Sequence, residues 1–257
     1  MKELTLCLVS ATFEPPPSLP FNIRGWFENM RSPAAPGHAP AYVVHNTPGG
    51  VNLGVIGSYH TGYLNTRHDI LAFIHDDVIC REEGWDLRVL KEFEDPRVGV
   101  VGFGGALLHG SADIYQRPYE LQQLGRALYM SNVDDADVHG DRFTGSREVA
   151  VLDGFSLIVR RELLDRCGGW QPDKWPSHHV YDYRICCEAH RYGYSVRCVG
   201  IRCHHQGGRT ATRADYQEWA KTTKWTSDVE MHTQGHRMLY DEYRDVLPWD
   251  ARTPDAR

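Results

Sequence analysis

The stretch that most limits what this chain can become is Leu71-Ala72-Phe73-Ile74-His75-Asp76-Asp77-Val78, where four apolar residues run into two adjacent carboxylates. An apolar run of that length bounded by charge reads as a buried parallel strand, and open α/β sheets place ligands outside the carboxyl ends of such strands. Two neighbouring carboxylates at a strand end raise each other's proton affinity unless a cation lies between them and what they face. A hard divalent ion bridging to a phosphate meets that need. A solvated turn opening on Asp also satisfies the pattern, so this stretch alone leaves both readings open.

The rest of the chain supplies neighbours for such a strand. Leu4 to Ser10 reads as a first buried strand that opens through Ala11-Thr12-Phe13 into the rigid loop Pro15-Pro16-Pro17. Phe21 to Met30 fits a short helix, and Ala41 to Asn46 a second strand ending in His45 and Asn46. Val55 to Arg67 is helix-compatible, and Leu87, Leu90 and Phe93 recur at helical spacing before Asp95-Pro96 stops that helix. Val98 to Gly105 is a glycine-containing apolar strand, and Leu107 to Glu148 reads as loops with a short helix and a hairpin. Val149 to Val159 is a strand interrupted by Asp153-Gly154, followed by helices over Arg160–Cys167 and Tyr181–Tyr192. Tyr194 to Cys203 reads as a last strand, and Ala214 to Val246 as a mainly helical tail. Strands alternating with helices at this spacing predict a mostly parallel sheet flanked by helices.

The 257 residues suit one large α/β domain, and a net charge of -6 argues against non-specific attraction to nucleic acid or anionic membrane. Seven scattered cysteines without a Cys-x-x-Cys pair predict reduced thiols rather than a disulfide framework. No signal peptide and no apolar run of membrane-spanning length is visible, so the expectation is a cytoplasmic protein.

Taken in order, these pieces resemble the family 2 glycosyltransferases of the GT-A fold, over about Leu4 to Gly208. Asn52-Leu53-Gly54 with Gly62 is similar to the family's helix start, and Phe73-Ile74-His75-Asp76-Asp77-Val78 to its metal-binding strand end. Asp153-Gly154-Phe155 through Arg160-Arg161-Glu162-Leu163-Leu164 to Gly168-Gly169-Trp170 resembles the segment on the acceptor side. Tyr181-Asp182, ahead of a helix closed by Tyr192-Gly193-Tyr194, resembles the Glu-Asp motif that supplies the base, and His204-His205-Gln206-Gly207-Gly208 the closing His motif. Two departures stand out: His75 occupies the first acid position of the Asp-x-Asp motif, and Tyr181 stands where Glu is usual.

The resemblance implies a GT-A (Rossmann-like) α/β domain over residues 1–208, and the helical pattern beyond it predicts a C-terminal helical extension, 209–257, packed on the core. It implies a metal-dependent, inverting transfer from a nucleoside-diphosphate sugar, a UDP-sugar being commonest in the family, to an acceptor hydroxyl. Asp182 would be the general base, a role typically contributing about 10²–10⁴-fold. Asp77 with His204 or His205, His204 being preferred, would hold Mn²⁺ or Mg²⁺. Neighbours on a strand alternate faces, so the pair itself does not say which histidine turns inward. The donor nucleotide would lie near Ala11, Thr12, His45, Asn46, His60 and Asp76, with Arg209 at the diphosphate. Asp153, Gly154 and Trp170 would face the acceptor, although Gly-Gly-Trp is equally a helix stop with a packing anchor.

Two alternatives are a non-catalytic nucleotide- or sugar-binding module of the same fold, and a GT-A nucleotidyltransferase. The second calls for a Gly-rich basic loop after the first strand, which Ala11-Thr12-Phe13-Glu14-Pro15 is not. The acceptor stays open among a glycan, a small molecule, a protein and a modified DNA base, with Arg184, Arg191, Arg197, Arg202 and Arg209 as the one candidate basic patch.

Overall fold

The computed structural model describes residues 3–12, 21–46, 52–110, 129–134, 141–207 and 213–252. The chain begins β1 (Leu6–Thr12), α1 (Phe21–Glu28), β2 (Ala41–His45), α2 (Gly54–Asn65), β3 (Ile70–Ile74) and β4 (Val78–Cys80). It continues α3 (Trp85–Glu92), β5 (Val98–Gly102), β6 (Gly104–Ala106), β7 (Leu108–His109), β8 (Tyr129–Ser131), β9 (Asp141–Arg142) and β10 (Ser146–Glu148). Last come β11 (Val151–Leu152), β12 (Ser156–Arg160), α4 (Arg161–Cys167), α5 (Tyr181–Arg191), β13 (Ser195–Val199), β14 (Cys203–His205), α6 (Ala214–Thr222), α7 (Asp228–Glu242) and β15 (Trp249–Asp250).

Seven strands make the central sheet in the order β10-β13-β5-β12-β3-β1-β2. Five of them run one way; β12 lies antiparallel between β3 and β5, and β10 antiparallel on the β13 edge. The sheet is thus mainly parallel, and the apolar run at its centre explains why. Every side chain of β3 is 0–1 % exposed, because residues facing both ways must meet a helical layer. Leu71 and Phe73 join one core cluster with Tyr59 and Trp170, while Ile70, Ala72 and Ile74 join a second with Trp26 and Trp85.

Two glycines of the resemblance have steric reasons. A Cβ on Gly62 would sit 2.3 Å from Val9 Cγ1, so its absence lets α2 lie close on β1. Gly54 opens α2 with φ +65, and a Cβ there would sit 2.5 Å from Ser177 Cβ.

The structure divides two runs that the sequence suggests are continuous. Val98–Gly105 becomes β5 and β6, with Phe103 N–H donating to Ser156 Oγ, and β6 joins a separate four-stranded sheet, β11-β6-β8-β9. Tyr194–Cys203 breaks after β13, because Gly200 passes the backbone at Phe143 so closely that a Cβ would lie 2.1 Å from its carbonyl oxygen. The chain then forms β14, which pairs antiparallel with β4. Of the region from Leu107 to Glu148, residues 111–128 and 135–140 lie outside the described residues.

Beyond β14, Leu239 of α7 together with Tyr243 and Val246 enters the larger core cluster. Tyr243 Oη donates to buried Glu188 at 2.7 Å, and Glu188 lies 3.5 Å from buried Arg184 on the same face of α5. All seven cysteines are free and buried. No helix among the described residues is long and apolar enough to cross a membrane.

Candidate active site

The carboxyl end of β3 turns sharply into β4. Ile74 O accepts from Ser10 Oγ at 2.6 Å, His75 N–H donates to Phe155 O at 3.0 Å, and Asn22 Nδ2 donates to Asp76 O at 2.9 Å. The turn is therefore gripped from three elements. The β4–β14 ladder sets His205 opposite Val78 and His204 opposite Ile79, and Gln206 N–H donates to Asp77 O at 3.0 Å.

That register gives the two histidines different neighbours. His205 Nε2 lies 3.5 Å from Asp77 Oδ1, and its ring stacks on Phe155 at 4.9 Å. His204 Nδ1 instead meets the carbonyl oxygen of Asp134. On the third side His75 Nδ1 lies 3.9 Å from the same Asp77 oxygen. Ligand atoms of His75, Asp77 and His205 all fall within 4.8 Å of one another. Donors sharing an ion at about 2.0–2.2 Å sit roughly 3–4.5 Å apart, so the set fits one divalent cation. Asp77 Oδ1 is buried and, among the described residues, receives no hydrogen bond, as a ligand oxygen should be. Burial alone would raise the Asp77 carboxyl, but the His205 and His75 rings hold it below the ordinary carboxylate range.

A second acid stands where α5 begins. Asp182 Oδ1 accepts from Tyr183 N–H at 2.9 Å and Oδ2 from Gly154 N–H at 3.1 Å. Burial, with the Asp153 charge nearby, pushes the Asp182 carboxyl up to about 7. Asp153 is itself held in its turn, accepting from Tyr129 Oη at 3.2 Å and from Phe155 N–H at 3.4 Å.

An open cleft lies along this end of the sheet. Ala11, Thr12, Asn46, His75, Asp76 and Asp77 line it, as do Gly54, Val55, Tyr59 and His178.

The sequence profile described as the glycosyltransferase-like family matches residues 54–234, which is most of the chain and includes both acids and the histidines. The chain belongs to the glycosyltransferase-like family. No curated protein sequence matches it. GalNAc-T7, solved with UDP, GalNAc and Mn²⁺, is similar in structure over 94 % of this chain and 55 % of its own, with a TM-score of 0.51 and 10 % identity. That likeness is one of fold, and GalNAc-T7 extends well beyond the shared part. Two further structures align with TM-scores below 0.5. The mannosyltransferase PcManGT from Pyrobaculum calidifontis, solved with GDP-Man and Mn²⁺, has a TM-score of 0.48 and 12 % identity, over 93 % of this chain and 70 % of its own. A197 from STIV has 0.45 and 14 % identity, over 80 % of this chain and 87 % of its own.

Within this glycosyltransferase the residues expected at the site are spread unevenly. Ala11, Thr12, Asn46, Asp76 and Asp77 meet at the cleft. The Asn46 carboxamide is already engaged, however, donating to Ser58 Oγ at 2.8 Å and accepting from Leu53 N–H at 3.2 Å, so it braces the entry to α2. His45 is exposed at the end of β2. His60, on α2, packs against Gly169, where a Cβ would lie 2.9 Å from its ring. Trp170 is 0 % exposed and packs on Phe73 and Tyr59 at ring distances of 4.9 and 5.5 Å. Gly154 faces the Tyr181 ring, and Arg209 lies outside the described residues. Tyr59 lines the cleft without a sequence signal, and for His178, which also lines it, the His178-His179 pair just ahead of Tyr181-Asp182 is the available hint.

Proposed function

We propose that the cleft binds a nucleoside-diphosphate sugar together with a divalent cation and transfers the sugar, with inversion, to an acceptor hydroxyl deprotonated by Asp182. The observation carrying this reading is the pair of acids with opposite environments, one among imidazoles at the end of β3 and one half-buried at the start of α5, desolvated beside Asp153 and raised to about 7.

Asp77 and His205 would hold the ion, Mn²⁺ or Mg²⁺. When bound, it would offset negative charge growing on the departing diphosphate, typically worth several kcal/mol. Ala11 and Thr12 would border the nucleotide, with Asp76 beside them. Asp182 takes the proton from the acceptor hydroxyl. The freed oxygen forms its bond to the anomeric carbon as the bond from that carbon to the diphosphate oxygen breaks. Displacement from the opposite face inverts the centre in one step. A carboxylate titrating near neutrality is suited to that task, since a base works best with its pKa near the working pH. The relative solved with UDP, GalNAc and Mn²⁺ combines a nucleotide and an ion on the same fold. Residues 209–257 would form the helical extension that shapes the acceptor side.

A thermal-shift titration with UDP, GDP and their sugars, with and without Mn²⁺, tests the donor site. Stabilisation that needs both Mn²⁺ and Asp77 is expected. Absence of a shift with every nucleotide, or the same shift in Asp77→Ala, would refute the reading.

A further inference from the structure

We propose that His75 Nδ1 is a third protein ligand of the divalent cation, that Tyr181 Oη fixes the ring for that role, and that the resulting two-imidazole set favours a transition-metal ion over Mg²⁺. This rests on the glycosyltransferase reading above and deepens it.

The two positions at which the chain departs from the family's motifs touch each other. His75 and Tyr181, 106 residues apart, meet at 2.7 Å through Nε2 and Oη. An imidazole has two nitrogens, and what holds one decides what the other can do. With Nε2 carrying the hydrogen and donating it to Tyr181 Oη, Nδ1 is left as a lone-pair donor. That nitrogen is the one 3.9 Å from Asp77 Oδ1 and inside the cluster with His205.

Tyr181 is well built for such a task. It is 6 % exposed, with Tyr59 and Trp170 at ring distances of 6.0 and 6.4 Å. Its reach depends on Gly154, because a Cβ there would sit 2.4 Å from Tyr181 Oη. Imidazole, phenol and missing side chain therefore form one arrangement drawn from three separate elements.

The chemical consequence lies in the donor set. Among the described residues Asp77 supplies the carboxylate, His205 a nitrogen, and His75 a nitrogen where an acid would have supplied oxygen. Mg²⁺ strongly prefers oxygen, whereas imidazole suits later divalent ions, and affinity for a nitrogen-containing site rises from Mn²⁺ to Co²⁺. The expected order is Mg²⁺ weakest, then Mn²⁺, then Co²⁺.

The test is a direct count of nitrogens. Mn²⁺ is bound to the whole protein without nucleotide and measured by pulsed EPR, alongside calorimetric titrations with Mg²⁺, Mn²⁺ and Co²⁺. Wild type should show two coordinated imidazole nitrogens, and His75→Ala and His205→Ala one each. Tyr181→Phe keeps the ring and removes the hydroxyl; its Mn²⁺ Kd should rise about 10–100-fold, as for loss of an orienting partner. His75→Asp should show one nitrogen and bind Mg²⁺ more tightly than wild type, and it guards against a misfolded alanine variant. One nitrogen in wild type, unchanged in His75→Ala, overturns this inference and leaves the Asp77–His205 site intact. Mn²⁺ binding that is absent, or indifferent to Asp77→Ala, overturns the underlying reading as well.

Discussion

Asp77 and Asp182 are the same side chain in two settings, one lining the cleft and one at the start of α5, and their surroundings drive them apart. Asp77 follows a strand end and faces two imidazoles, which keep it ionised in spite of burial. Asp182 begins a helix, is desolvated, and has another acid nearby, so its carboxyl titrates near 7. Divergent environments for paired acids are how one site obtains two roles from one functional group. Here the difference comes from topology: the β4–β14 ladder brings histidine to the first acid, and the Asp153 turn brings charge to the second.

The largest expected effect is at Asp182. Asp182→Asn should lower sugar transfer, or donor hydrolysis when water is the acceptor, by about 10²–10⁴-fold. It should also abolish an acidic limb in the wild-type pH–rate profile, where activity rises with pH through about 7. An unchanged limb in the variant would dissolve the contrast between the two acids. Next comes Asp77→Ala: loss of several kcal/mol of charge stabilisation corresponds to roughly 10²–10³-fold in rate, with no change in the limb near 7. The histidines sharpen the comparison further. His205→Ala should abolish the Mn²⁺-dependent thermal shift, while His204→Ala, whose ring meets Asp134 O, should retain it. An equal loss in both would mean that the strand turns the other way at the site.

The smallest effect concerns stability. Because Asp182 titrates higher in the folded chain than its ordinary value, the native state holds a proton that the unfolded chain has already released. Its contribution is present in acid and is lost as pH rises through about 7. Asp182→Asn should therefore gain on wild type in melting temperature between pH 5 and pH 8, a trend that melts across that range would show. A constant difference would mean that Asp182 is not raised.

What the sequence displays and what it conceals follow the same division. The end of β3 is readable because a strand buried on both faces has to be apolar throughout, and the change to charge marks its mouth. The order of its neighbours is not readable, since the apolar run of β12 looks the same whether it lies parallel or antiparallel to β3. His204 and His205 cannot be told apart until pairing with β4 fixes which alternate residue turns inward. Trp170 illustrates a different limit: Gly-Gly-Trp is compatible with an exposed platform or a packing anchor, and only the positions of Phe73 and Tyr59 show it buried. Asn46 has the polarity of a ligand contact, but the hydroxyl that takes its amide group is twelve positions away at Ser58. The contact between His75 and Tyr181 joins residues too distant in sequence for any local pattern to link them.

The ladder between β4 and β14 has a consequence for how the protein is made. It joins Val78 to His205, so the donors at Asp77 and His205 come together only after the intervening chain has been synthesised and has folded back across the sheet. A chain halted before β14 can bury β3 yet cannot assemble the cluster. Mn²⁺ binding by the chain in solution, lost in Asp77→Ala, would then report completed long-range assembly and distinguish it from local collapse.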